Sequence, residues 1–103
     1  MTIISILKDK NVTIKIKGHA GYMAGNDIVC SALSISEHML TEWVYNHKEA
    51  AEFIEVKRLS GDVTLKIRAI SESFYTALEV IETGFRALAR EYPLNVCLFI
   101  SDN

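Results

Sequence analysis

Val12-Thr-Ile-Lys-Ile-Lys17, continued by Gly18-His-Ala-Gly-Tyr-Met-Ala-Gly-Asn-Asp-Ile-Val-Cys30-Ser-Ala-Leu-Ser34, is the stretch whose reading decides the fold. Its first six residues alternate apolar and polar, the period of a half-buried strand. Gly18, Gly21 and Gly25 then break the pattern, and residues 18–25 read as a mobile loop. Asn26-Asp27 supplies capping chemistry, because either side chain can accept from the free N–H groups of a helix's first turn. The spacing predicts a helix from there to about His47, with Ile28, Ala32, Leu33, Met39, Leu40, Trp43 and Val44 on its apolar face.

Outward from this stretch the same signals repeat. Residues 2–7 are a short β-branched run, and Lys8-Asp9-Lys10-Asn11 separates them from residues 11–17, so the two runs predict a hairpin. Residues 53–57 and 63–68 form a second pair around the turn signature Leu59-Ser-Gly-Asp62. Ser71 can cap a second helix, in which Phe74, Leu78, Ile81, Phe85 and Leu88 recur at helical steps until Pro93 approaches. Asn95-Val-Cys-Leu-Phe-Ile100 is apolar on both faces, the pattern of a strand well inside a sheet. The order ββαββαβ predicts an α+β fold over residues 1–103 as a single domain, one sheet with two helices packed on it.

Composition narrows the function classes. The chain has 103 residues, 50% of them hydrophobic and 23% charged, within the range of ordinary globular domains. Eleven basic against 13 acidic residues leave a net charge of −2, with no basic block, so direct nucleic-acid binding is not expected. No apolar run is long enough to span a bilayer, and the first residues lack the basic opening of a signal peptide. Two cysteines in unlike surroundings do not make a disulfide framework, and a cytoplasmic location is the expectation.

Cys30 carries the chemistry. A thiol becomes a nucleophile when its thiolate is favoured, and both a helix N-terminus and a nearby histidine favour it. At about 100° per residue, Asp27, Cys30, Ser34 and Thr41 fall opposite the apolar residues named above, so Cys30 is expected to face away from the core. Cys97, among Val96, Leu98 and Phe99, is expected to be buried and inert. His19 follows a strand end and can turn toward the next helix. A Cys–His pair suffices for acyl transfer, the imidazole first taking the thiol proton and later protonating the leaving amine. His38 lies two turns beyond Cys30, about 12 Å along the axis, too far for that proton transfer. His47 suits a helix C-terminus. Asp27 reads equally as a cap or as a group orienting His19. Ser34 is a hydrogen-bond partner for the thiol or a surface residue, and the amides of Val29 and Cys30 are natural oxyanion donors. One His and one Cys do not make a zinc site, and neither a phosphate loop nor a dinucleotide fingerprint is present, so no metal or cofactor is expected.

Gly18-His19-Ala20, the glycine-containing loop, then Asp27-Ile28-Val29-Cys30 with Ser34 four positions on, resembles the signature of the ribosomal-processing cysteine protease family, Prp. The resemblance implies an endopeptidase that removes the N-terminal extension of a large-subunit ribosomal protein, cutting after a hydrophobic, aromatic-containing stretch. It implies Cys30 as nucleophile, His19 as base, Asp27 and Ser34 in support, and a homodimer. Gly18, Gly21, Tyr22, Met23 and Gly25 then form a substrate loop gating the thiol. Family members often carry Ala-Ala after the cysteine, where this chain has Ser31-Ala32, and the loop is slightly shorter than in some relatives. The alternative function is a non-catalytic, ribosome-associated peptide-binding or assembly factor in which Cys30 is incidental.

Overall fold

Alternation in Val12–Lys17 sends Val12, Ile14 and Ile16 to one side of a strand, and all three are buried. The computed structural model describes residues 1–102. Strands β1 (Thr2–Lys8) and β2 (Val12–Lys17) form the expected antiparallel hairpin. Helix α1 (Ile28–Asn46) leads to the second hairpin, β3 (Ala51–Leu59) and β4 (Asp62–Ala69), and helix α2 (Glu72–Glu91) to strand β5 (Val96–Asp102). The ββαββαβ, α+β expectation is borne out. One five-stranded sheet has the order β3-β4-β2-β1-β5, antiparallel except where β5 runs parallel to β1. A parallel neighbour cannot be reached by a tight turn, and α2 lies in the connection that makes the crossover.

One face of the sheet carries the core. Ile4, Ile6, Ile14, Leu65 and Ile67 form one buried cluster with Leu33, Leu40 and Val44 of α1 and Phe74, Leu78 and Phe85 of α2. Each such side chain contributes roughly 1.5–3 kcal/mol by leaving water. The opposite face keeps Ile3, Leu7 and Phe99 exposed. Strand β3 has a bulge between Phe53 and Glu55, after which its residues are exposed and the hairpin tip rises beside the start of α1's buried face.

Four expectations are corrected. Strand β5 is not inside the sheet but at its edge, and Phe99 is 58% exposed; the outward side chains of an apolar run need no second layer when the sheet is open on that face. Cys97 is accordingly half-buried rather than fully enclosed. Helix α1 is also rotated from its expected phase. Val29, Leu33, Glu37, Leu40, Thr41 and Val44 are buried, whereas Ile28 and Met39 are exposed. The cause is a polar partner from another element. Arg58 of β3 donates from Nε to Glu37 Oε1 at 3.0 Å and from Nη2 to Thr41 Oγ1 at 2.6 Å. Pairing with the partly exposed Arg58 lets the Glu37 carboxylate turn inward, which apolar spacing alone does not reveal. Ser71 stands at the N-cap of α2, but its hydroxyl meets Ser73 Oγ at 2.8 Å rather than capping an amide.

Candidate active site

The rotation of α1 changes what surrounds Cys30. Instead of facing away from the core, the residue lies at its border, half-buried and packed against it, in the first turn of the helix. Asp27 is the N-cap. Its Oδ1 accepts from the Val29 and Cys30 N–H groups at 3.0 Å each, and its Oδ2 accepts from Tyr22 N–H at 2.9 Å. These bonds, the one from the Cys30 amide foremost, hold the Asp27 carboxyl below its usual range. Both oxygens are therefore committed to backbone groups, as a cap requires. The same bonds overturn the expected oxyanion donors, because the Val29 and Cys30 amides already serve the carboxylate.

A different amide faces the sulfur. Ala20 is buried, and its N–H donates to Cys30 Sγ at 3.4 Å. The Ala20 carbonyl accepts from Asn95 Nδ2 at 2.9 Å, and Asn95 O accepts from Thr2 N–H at 2.8 Å. The loop between β2 and α1 is thus tied at one end to the approach to β5 and at the other to the cap of α1. Tyr22 completes the tie, its ring meeting Tyr92 edge-on at 5.3 Å.

Next to the thiol is an open cavity of about 300 Å³. Cys30, His19, Ser34 and Gly18, all picked out by sequence, lie in its lining. Gly21, Tyr22, Met23 and Gly25 are exposed. His19 is exposed too, and its imidazole lies along Gly61 in the β3–β4 turn. Among the described residues no hydrogen bond joins this ring to Cys30 Sγ or to Asp27. His47 closes α1 at its C-cap, stacked on Trp43 at 4.0 Å.

Sequence reasoning missed the far side of the cavity. Glu37, Arg58, Gly61 and Asp62 line it, all but Glu37 contributed by β3, β4 and their turn. Asp62 bonds Lys17 and also pairs with Lys57 at 2.9 Å; these contacts, Lys17 first, hold its carboxyl below the usual range and fasten the end of β2 to the hairpin. His38, set aside for its distance along the helix, lines the cavity as well, with Nε2 3.8 Å from Glu37 Oε2. Nothing local to residues 58–62 signals a site. Only the pairing of β4 with β2 brings the turn beside His19.

The arrangement offers a helix-terminal thiol with one amide on its sulfur and an imidazole sharing its open cavity. Among the described residues, no helix is long and apolar enough to cross a membrane. Comparison with known proteins gives a family and a fold. The family model for cysteine protease Prp matches residues 1–97. A ribosomal processing protease Prp from Staphylococcus aureus, solved with a covalently linked product peptide, superposes with a TM-score of 0.80 at 18% identity, over 97% of this chain and 99% of that one. The same protease with a substrate peptide gives 0.77 at 16% identity, with the same coverage. A protein from Streptococcus mutans gives 0.75 at 22% identity, over 100% of this chain and 96% of that one. No curated protein matches the chain.

Proposed function

Since this chain belongs to the Prp cysteine protease family, we propose that it cleaves the N-terminal extension from a large-subunit ribosomal protein, with Cys30 as nucleophile and His19 as base. The observation that carries the reading is the thiol itself: Cys30 stands in the first turn of α1, accepts from the Ala20 amide, and shares one cavity with His19. His19 takes the thiol proton, and the thiolate adds to the scissile carbonyl, forming a C–S bond. Collapse of the tetrahedral adduct breaks the C–N bond, and the imidazolium protonates the departing amine. Water, deprotonated by His19, then hydrolyses the thioester and restores the thiol. The imidazole, seated against Gly61, and the sulfur come within hydrogen-bond reach when substrate fills the cavity, since catalytic hydrogen bonds often tighten only with substrate bound. The Ala20 amide, already aimed at Sγ, serves as a donor for the developing oxyanion.

The test is direct. Incubating the purified protein with a ribosomal precursor bearing an aromatic-containing extension shortens the precursor by the mass of that extension. An intact precursor, with the added protein folded, overturns the reading. Cytoplasmic residence and a homodimeric state belong to the same proposal.

Gly21 to Gly25, with exposed Tyr22 and Met23, acts as the gate. The loop's ends are tied, but its outer part is exposed, so it is free to order around a bound peptide. In the Cys30→Ala protein, the amides of Ala24 and Gly25 exchange rapidly and become protected when a substrate-like peptide is added. Protection already present in the free protein would make this loop a fixed turn.

A further inference from the structure

The β3–β4 turn is only Ser60-Gly61, since Leu59 pairs with Asp62 across it. Gly61 has φ +67°, and its carbonyl accepts from Gly18 N–H at 2.8 Å, immediately before His19. A Cβ built on Gly61 would lie 2.8 Å from His19 Nε2, 3.1 Å from Cε1 and 3.3 Å from Cδ2. The imidazole therefore lies with its face, at Nε2, over a bare Cα, closer than any side chain at this position would permit. His19 and Gly61 both line the cavity that holds Cys30.

We propose that Gly61 is a positioning residue for His19: the side-chain-free turn is a shelf that keeps the imidazole in the cavity with the thiol, and the Gly18–Gly61 hydrogen bond locks shelf and ring together. This rests on the Cys30–His19 reading above. A Cβ at 61 meets the end of a rotatable side chain, so the protein yields by swinging the ring, not by breaking the turn. The consequence is a folded enzyme whose base is misplaced. Small displacements of a proton-transferring group cost rate steeply, because the transfer requires hydrogen-bond reach. His19 is thus held by the turn of the hairpin whose strand β4 pairs with β2, which motif spacing cannot encode.

The experiment follows alkylation of Cys30 by iodoacetamide against pH, with melting temperature as a check on folding. Gly61→Asn is the principal variant, because asparagine tolerates positive φ better than other side chains while still carrying a Cβ. It lowers alkylation near neutral pH by about tenfold, a fraction of what general-base catalysis contributes. In a His19→Ala background the same substitution changes nothing further. Ser60→Ala, in the same turn, leaves the rate unchanged. Equal losses from Gly61→Asn with and without His19 would assign Gly61 a purely structural role and overturn the proposal. An unchanged rate in Gly61→Asn, while His19→Ala is slow, overturns it as well but leaves the Cys30–His19 reading standing. If His19→Ala alone reacts normally, the Cys30–His19 reading falls, and the proposal with it. Should the variants fail to fold, proton NMR of the unsubstituted protein decides: a nuclear Overhauser effect joins the His19 ring protons to the Gly61 Hα, and its absence overturns the shelf.

Discussion

Cys30→Ala abolishes cleavage of an extended ribosomal precursor while the protein stays folded. Without sulfur no covalent intermediate forms, and the remaining groups can only assist attack by water. The cost to stability is small, about 1 kcal/mol or less, because a half-buried thiol adds little to the core. The Ala20 amide, which is buried, gives up only a weak sulfur acceptor. Cys97→Ala is the internal control. That residue sits in the edge strand β5, and its loss leaves turnover intact. Measuring precursor mass and melting temperature for both variants settles the assignment. Turnover retained by Cys30→Ala and lost by a folded Cys97→Ala would reverse it.

His19→Ala lowers turnover by at least about 100-fold, the lower range for loss of a general acid–base group. Alkylation of Cys30 near neutral pH slows with it. The residual reactivity is what the start of α1 and the Ala20 amide supply. Substrate binding is affected less than turnover, since the ring contributes one edge of a cavity with several other lining groups. An alkylation profile identical to that of the unsubstituted protein at every pH would remove His19 from the mechanism.

Much of this architecture is legible in local pattern. Strict alternation in Val12–Lys17 and the helical recurrence of Phe74, Leu78, Ile81 and Phe85 each have one dominant cause, burial of one face, and both read correctly. Helix α1 misleads because its apolar residues lie all around it, and Arg58, from a strand after the helix, selects the face bearing Glu37 and Thr41. The apolar run of β5 misleads similarly, since its outward side chains remain exposed at an open edge. At the site, Cys30, His19 and Asp27 lie within one short segment, so spacing brings them to notice. Arg58, Gly61 and Asp62 enter through the pairing of β4 with β2, and no residue near them announces it.

The bond from Asn95 to the Ala20 carbonyl joins residues 75 positions apart, and the strand it precedes pairs with the first strand of the chain. Such contacts carry a large loop-closure entropy and form late in folding. During synthesis, then, the segment bearing His19 is complete long before Asn95 emerges to hold it, and a fast-reacting thiol is expected only once the last strand is in place. Refolding from denaturant exposes the same delay: Trp43 fluorescence recovers first, while rapid alkylation of Cys30 returns only in the slowest phase. Simultaneous recovery of both signals would show that the thiol needs no help from the last strand.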